Sequence, residues 1–268
     1  MRRRWTVAAA GCLLAMLVCV VVLPLGVVVA GSVWTPGLLG AASESWRVGD
    51  SRTWFSYVLE LYGGQIVRSA LLAALVVALS FLIGAPAAYA IARESGKPTR
   101  FLRAALDAPL AVPGLAVAIA LIQTYPGARS RGLTLAAGHL LYALPFFVRA
   151  TGNALASAPL SELEEAAAAT GAGRLETLRR VVIPLARPGL LAGALMAFTI
   201  SWGEFNVSFL LATPTTQTFP SALYLTYTTN SFPVAAAATT LFLAAAIPAL
   251  ALLQAIARPE AARFGEAA

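Results

Sequence analysis

Residues 159–184 read PLSELEEAAAATGAGRLETLRRVVIP, a charged stretch in an otherwise hydrophobic chain. Glu162, Glu164 and Glu165 fall within four positions and are followed by four alanines and, after a threonine, Gly171. Acidic side chains favour the first turn of a helix, alanine is the best helix former, and glycine commonly ends a helix. The pattern therefore predicts a short helix that ends at Gly171.

The two ends of this stretch carry further helix signals. Ser161 and Glu164 have the spacing of a capping box, which would start the first helix. A second short helix is predicted from about Arg174 to Val182, before Pro184. Residues 151–187 are thus expected to form a compact helix-turn-helix loop between two hydrophobic runs.

The rest of the chain is hydrophobic enough to be embedded in a membrane. Of its 268 residues, 59% are hydrophobic and 12% are charged, about half the charged share of a typical soluble domain. Six apolar runs approach or exceed the roughly 20 residues that a helix needs to cross a bilayer. They cover residues 6–30, 66–92, 104–125, 133–148, 188–212 and 234–257. The predicted fold is an all-α membrane protein with six transmembrane helices in a single domain, residues 1–268.

The arginines predict the orientation of these spans. With six spans, the amino terminus, the loops 93–103 and 149–187 and the carboxyl tail share one side and carry most of the 19 Lys and Arg residues. The more positive side faces the cytoplasm, so both termini and the acidic stretch are predicted there. The apolar runs are expected to contact lipid. Basic residues between such runs indicate membrane topology and not a nucleic-acid partner.

The loop resembles the EAA loop of bacterial ABC importer permeases. Glu165-Ala166-Ala167, three residues, Gly171, nine residues and then Val181-Val182-Ile183-Pro184 match the pattern E-A-A, three residues, G, nine residues, I-x-L-P, with two conservative replacements. Four other stretches resemble spans of polyamine-type permeases. They are GAPAAYAIAR (84–93), APLAVPGLAVAIAL (108–121), GHLLYALPFFVRA (138–150) and LAGALMAFTISWGEFNVSFLLA (191–212).

The resemblance implies a type I, binding-protein-dependent import system of the bacterial inner membrane. In that family the EAA helix seats in a cleft of a separate ATPase, where Glu165 can pair with a basic group. The implied partners are a dimer of ATP-binding subunits, a second permease subunit that is identical or different, and an extracytoplasmic solute-binding protein. The implied ATPase-coupling residues are Glu164, Glu165, Ala166, Ala167, Gly171 and Pro184.

The chain shows no nucleotide site of its own. Its Gly96-Lys97 pair is followed by Pro98 and lacks the upstream glycine of a phosphate loop. No paired acids, metal-ligand cluster or nucleophile elbow stands out. We therefore expect a transport subunit without enzymatic activity, cofactor or metal, driven by ATP that a partner hydrolyses.

Ionisable residues inside a membrane are candidates for function, and three occur here. Asp107 lies near the cytoplasmic end of the third predicted span, where it can reach the interface. His139 and Glu204 are expected at similar depth, and Ser201, Glu204 and Ser208 have the spacing of one polar stripe on a helix. These four residues are candidates for lining a solute passage. The alternative is a purely structural hydrogen bond between helices.

The solute is the most open part of this interpretation. Overall likeness favours a polyamine-like solute, and Glu204 could attract a cation. However, Trp202-Gly203-Glu204-Phe205 also resembles the W-N-E-F run of sugar permeases, with glycine in place of asparagine. Sugars and phosphonates therefore stay open. An exporter or channel fits the spans, and an intramembrane enzyme could use His139 and Glu204, but neither explains the EAA loop.

Overall fold

The computed structural model describes residues 11–33, 51–94 and 96–265, and all the regular secondary structure in these ranges is helical. The α-helices are α1 (Leu23–Val33), α2 (Ser51–Leu79), α3 (Ala85–Arg93), α4 (Lys97–Asp107), α5 (Gly114–Thr124), α6 (Pro126–Arg129), α7 (Leu133–Ala156), α8 (Leu160–Ala169), α9 (Arg174–Thr177), α10 (Ile183–Gly203), α11 (Asn206–Leu211), α12 (Phe219–Thr229) and α13 (Phe232–Gly265). Wider π-helical turns at Val18–Val22, Ser80–Gly84 and Leu178–Val182 join neighbouring helices, and a 3₁₀ turn at Ala108–Ala111 follows α4.

Four helical runs are long and apolar enough to cross a membrane. They are Gly11–Val33, Trp54–Arg93, Leu133–Ala156 and Arg174–Gly203. The bent pair Lys97–Ala111 and Gly114–Thr124 would make a fifth span, and Phe232–Pro248 is a shorter apolar helix. The all-α membrane class is confirmed, whereas the count of six spans stays a prediction. The first five residues of the predicted span 6–30 lie outside the described ranges.

The third predicted span, residues 104–125, is not a continuous helix. Its two halves meet at a bend of 105°, and the chain between them is extended at Val112, with ψ 131°. A residue that precedes proline disfavours the helical conformation, and Pro113 follows Val112. Hydropathy alone could not reveal this break, because the residues on both sides of it, 108–121, are apolar.

The fifth predicted span, residues 188–212, is also interrupted. Helix α10 ends at Gly203, the backbone is extended at Glu204, with ψ 110°, and the short helix α11 begins at Asn206. The Glu204 carboxylate accepts a hydrogen bond from the Val207 N–H at 3.0 Å and so satisfies a free donor in the first turn of α11. The prediction of one continuous helix with one polar stripe is therefore wrong.

Helices α7 and α10 pack tightly because glycines on α10 leave room for the α7 backbone. A Cβ atom added to Gly189 would lie 2.5 Å from the Ala154 Cβ atom and 2.6 Å from the Ala150 carbonyl oxygen. One turn on, a Cβ at Gly193 would lie 3.0 Å from the Phe147 carbonyl oxygen. Small residues at such spacing are the usual means of close helix packing in membranes. Helix α7 also runs past the predicted end of its span at residue 148, to Ala156.

The chain divides into two compact units, and the predicted single domain stays a prediction. One unit comprises Met1–Gly64 and Ala222–Ala245, and its described core includes buried Val58, Tyr62 and Val234. The other comprises Gln65–Ser221 and Ala246–Ala268. The second unit contains all of the candidate site residues. Its core includes a cluster of Val76, Ala143, Phe147 and Ala197.

Candidate functional site

Helix α8 carries the EAA sequence, and it starts two residues earlier than the capping box predicts. Pro159 is its N-cap residue, and no side chain caps the first turn. Instead, the Leu163 N–H donates to the Pro159 carbonyl at 3.1 Å. The predicted capping box of Ser161 and Glu164 is wrong, because the Glu164 carboxylate is engaged by another helix.

Glu164 binds two residues at the end of α3. Its Oε2 atom lies 2.9 Å from the Arg93 Nε atom, and its Oε1 atom accepts a hydrogen bond of 2.5 Å from the Tyr89 hydroxyl. Tyr89 and Arg93 are four residues apart on α3, so they share one face of that helix. The Glu164 side chain is only 12% exposed. This ion pair therefore connects α8 to the helix that is predicted to be the second span.

Packing beneath α8 adds a second connection. Leu160 is buried in a cluster with Leu155 of α7 and with Val182 and Ala186, which lie just before the fifth predicted span. Tyr89 packs against the same cluster. The outer face of α8 is different, because Glu165 and Ala166 are exposed. Helix α8 is thus held along one side and free along the other.

The end of α8 at Gly171 is confirmed, and its geometry is a Schellman motif. Gly171 has a φ of +82°, which side chains with a Cβ atom rarely adopt. The Gly171 N–H donates to the Ala168 carbonyl at 2.9 Å, and the Ala172 N–H donates to the Ala167 carbonyl at 3.1 Å. These two bonds satisfy carbonyls that the helix end would leave free. The turn redirects the chain into α9.

The second predicted helix of the loop does not end before Pro184. A continuous helical run extends from Arg174 to Gly203, so Pro184 lies in the first turn of α10. The turn before it is π-helical, and the Ile183 N–H bonds to the Leu178 carbonyl. This wider turn accommodates a proline that would otherwise clash with the preceding helical turn. The second helix is therefore an extension of the fifth predicted span.

A buried polar cluster lies in the membrane part of the same unit. The His139 Nδ1 atom is 2.9 Å from the Ser201 Oγ atom, and its Nε2 atom is 2.8 Å from the Ser208 Oγ atom. The exposed fractions of the three residues are 1%, 3% and 0%. The structure thus brings together three of the four residues predicted to line a passage, in a closed hydrogen-bonded group.

Glu204, the fourth residue, lies in the break between α10 and α11 and is partly exposed. Among these four residues, Glu204 is the one that is not buried. The passage role itself stays a prediction.

Other charged residues stabilise the unit. The Asp107 Oδ1 atom lies 2.7 Å from the Arg149 Nη2 atom, which fits the predicted position of Asp107 near the interface. Arg129 donates to the carbonyls of Leu210 and Ala212, at 2.8 and 3.4 Å, near the end of α11. No group of three or more His, Cys, Asp or Glu residues that could hold a metal occurs in the described ranges.

Sequence reasoning missed Tyr89 and Arg93 as partners of α8. The signal was available, because the stretch GAPAAYAIAR places them four residues apart at the end of a predicted span. It also missed Tyr142, whose hydroxyl donates to the Val112 carbonyl at 2.7 Å. That contact depends on a helix break, which the apolar pattern does not show.

Comparison with known proteins gives the family. A family model described as "binding-protein-dependent transport system inner membrane component" matches residues 80–259. A putative ABC transporter permease protein, ORF1, of Streptomyces antibioticus is 34% identical over 197 residues, which is 72% of this chain and 84% of that protein. The spermidine/putrescine transport system permease protein PotC of Escherichia coli (strain K12) is 28% identical over 179 residues, 66% of this chain and 67% of PotC.

Other relatives differ in the solute that their names give. The molybdate/tungstate transport system permease protein WtpB of Pyrococcus abyssi is 28% identical over 152 residues, 55% of this chain and 60% of WtpB. Among solved structures, a chain of a bacterial ABC transporter involved in the import of the acidic polysaccharide alginate matches with a TM-score of 0.67 at 17% identity, and the match covers 96% of both chains. This last likeness concerns the fold. The protein described here belongs to the family of inner membrane components of binding-protein-dependent transport systems, the permeases of ABC importers.

Proposed function

We propose that this permease imports a small polar solute and that α8 is the helix through which a separate ATPase drives it. The ATPase is proposed to act as a dimer of ATP-binding subunits, beside a second permease subunit and an extracytoplasmic solute-binding protein. In this proposal both termini and α8 lie in the cytoplasm, which the arginine distribution supports. ATP is bound and hydrolysed by the partner, and this chain converts the resulting movement into a change of its membrane helices.

The observation that carries this proposal is the two-sided character of α8. On one side Glu164 is tied to Arg93 and Tyr89, and on the other Glu165 and Ala166 are exposed. Alanine lets a partner approach the helix backbone closely, and an exposed carboxylate can pair with a basic group in a cleft. A helix that only capped the loop would not need this combination.

Movement of α8 has two routes into the membrane helices. The Glu164–Arg93 ion pair pulls on α3, and Leu160 pushes on Val182 and Ala186 at the foot of the fifth predicted span. Close-packed interiors transmit such displacements because they have few voids to absorb them. Closure of the ATPase around α8 would therefore move both spans together.

For the solute we propose a polyamine-like cation. The support is the partly exposed Glu204 carboxylate in the break of the fifth predicted span, together with the likeness to PotC. Two outer arginines are engaged by backbone carbonyls, since Arg68 donates to Gln217 and Arg129 to Leu210. An oxyanion such as molybdate or a phosphonate would need free donors instead of a carboxylate. Glu204 alone does not separate a cation from a sugar, because the W-N-E-F run of sugar permeases has glutamate at the same position.

The intramembrane enzyme that used His139 and Glu204 is disfavoured by the family of the chain. The geometry also gives His139 no orienting acid, because both ring nitrogens lie against serine hydroxyls and the Glu204 carboxylate bonds to the Val207 N–H.

The coupling proposal is tested by reversing the charge of Glu165. Glu165→Lys should release the ATPase from the purified complex and abolish uptake, because the helix would present a positive charge to a basic group. The matched control is Glu60→Lys on α2, another exposed glutamate, on the predicted outer side. Undiminished co-purification of the ATPase with Glu165→Lys, together with normal uptake, would remove the coupling role from α8.

The solute assignment needs a separate measurement. Calorimetric titration of the cognate solute-binding protein with spermidine, molybdate, trehalose and a phosphonate should show binding of spermidine alone. Binding of any of the other three would replace the polyamine assignment and leave the coupling proposal intact.

A further inference from the structure

His139 joins the two sides of the break in the fifth predicted span. Ser201 belongs to α10 and Ser208 to α11, and the His139 ring lies between their hydroxyls at 2.9 and 2.8 Å. A neutral imidazole has one N–H donor and one nitrogen acceptor, while a hydroxyl can serve as either. Both nitrogens are therefore satisfied in either tautomer, and one rigid ring fixes the spacing of two helix segments.

A second residue of α7 contacts the other break. Tyr142 lies three residues after His139, and its hydroxyl donates to the carbonyl of Val112, between the two halves of the bent helix pair. The two breaks are in contact, because a Cβ atom on Gly114 would lie 2.9 Å from the Asn206 Cβ atom. One turn of α7 thus supports both interruptions.

Interrupted backbone at membrane depth is tolerated where protein buries it or where it lines a water-filled cavity. The break at Glu204 has buried flanks and a partly exposed centre. Ser201 and Ser208 on its flanks are buried, whereas Glu204 between them is partly exposed. The direction in which the Glu204 carboxylate points is therefore fixed by the orientation of α10 and α11, which the His139 ring holds.

We infer that His139 is a positioning residue that presents Glu204 to the solute and does not itself contact the solute. This inference rests on the proposed function, in which Glu204 meets a cationic solute. It assigns different roles to the four polar residues that the sequence groups together. Glu204 contacts the solute, and His139, Ser201 and Ser208 set its position from behind.

The test is a double-mutant cycle on the complete complex, reconstituted in vesicles with its ATPase and binding protein and supplied with spermidine. His139→Leu removes both hydrogen bonds at similar volume. It should raise KM for spermidine uptake about fivefold, a coupling of ordinary size for residues that act as one unit, and change the maximal rate less than about twofold. In a chain that already carries Glu204→Gln, His139→Leu should cause no further change in KM.

Three further variants separate positioning from general damage. His139→Gln keeps a donor and an acceptor on one side chain and should restore KM to within about twofold of wild type. The double change Ser201→Ala with Ser208→Ala should reproduce the effect of His139→Leu. Thr134→Val is the matched control, since Thr134 is also buried on α7 but its hydroxyl has no partner, and KM should not change.

Each contrary result has a distinct meaning. If the double variant raises KM by the product of the two single fold-changes of His139→Leu and Glu204→Gln, His139 does not act through Glu204. That result would overturn the inference. Loss of complex assembly in both His139→Leu and the double serine variant would overturn it also, because the cluster would then be purely structural. A wild-type complex that does not take up spermidine would instead refute the polyamine assignment of the proposed function, and with it the role of Glu204.

Discussion

At the scale of single residues, Glu164 and Glu165 show how neighbours in sequence can have different roles. Glu164 is nearly buried against Arg93 and Tyr89, whereas Glu165 is exposed. Successive residues of a helix point about 100° apart, so only one of the pair can face α3. The EAA pattern identifies Glu165, but the structure gives Glu164 the contact within the chain.

The first prediction concerns the Glu164–Arg93 pair. Glu164→Gln should destabilise the attachment of α8 by roughly 1 kcal/mol, since hydrogen bonds to charged groups contribute about 1.5–3 kcal/mol when shielded and Arg93 is half exposed. We expect a lower melting temperature of the purified permease and less uptake per ATP hydrolysed. The charge-swapped pair, Glu164→Arg with Arg93→Glu, should recover part of both.

The control for this prediction is the Glu176–Arg180 pair. Its atoms are 3.3 Å apart, but the two side chains are 46% and 79% exposed. Exposed pairs four residues apart on a helix contribute about 0.3–0.5 kcal/mol. Removing this pair should leave uptake unchanged. If removal of either pair lowered uptake by the same amount, the Glu164 contact would have no special role.

At the scale of secondary structure elements, the turn after α8 requires glycine for its backbone conformation and not because a side chain would clash with a neighbour. Gly171 has a φ of +82°, and a Cβ atom there would meet no heavy atom within 4 Å. Gly173 is equally open but has an ordinary φ of −72°. The two glycines therefore separate strain from steric clash.

The second prediction uses this pair. Gly171→Ala should destabilise the turn by about 1–2 kcal/mol and weaken co-purification of the ATPase, and Gly171→Val should do so more strongly. Gly171→Asn should be milder, because asparagine tolerates the left-handed conformation better. Gly173→Ala should be close to neutral in the same assay. Equal behaviour of the two alanine variants would refute a role for the left-handed turn.

The third prediction concerns the contact between α7 and α10. Gly189→Ala would place a methyl group 2.6 Å from the Ala150 carbonyl oxygen, and the backbone cannot give way cheaply. We expect a loss of about 1–3 kcal/mol, the usual cost of overpacking, measured as a lower melting temperature in detergent. Gly152→Ala on α7 meets nothing within 4 Å and should be neutral or slightly stabilising.

The sequence predicts the class of these elements better than their continuity. Hydropathy located the apolar runs, and the alanines and Gly171 located α8 and its end. Hydropathy could not show that the helices are interrupted at Val112 and Glu204. A few residues in extended conformation barely change the mean hydropathy of an apolar run. The Glu164–Arg93 contact was likewise hidden, since it joins residues that are 71 positions apart and depends on how α8 packs against α3.

At the scale of the whole molecule, the division of charge gives the orientation its physical basis. Arginine is costly to move across a bilayer, so loops rich in it stay in the cytoplasm. The loop that contains α8 carries Arg174, Arg179 and Arg180, whereas the connection between α11 and α12, residues 212–218, has no charged residue. The proposed coupling to a cytoplasmic ATPase requires the loop that contains α8 to lie inside, and the predicted orientation puts residues 212–218 outside.

The fourth prediction tests this arrangement by cysteine labelling in intact cells. Glu165 and Thr215 are exposed positions suited to single cysteines. The background is a chain in which Cys12 and Cys19, both exposed, are replaced by serine. A membrane-impermeant maleimide should label Thr215→Cys directly, but Glu165→Cys only after the membrane is opened. This result requires an odd number of crossings between positions 165 and 215, as the interrupted fifth span provides. Labelling of both positions in sealed cells would place α8 outside and separate it from any ATP-driven partner.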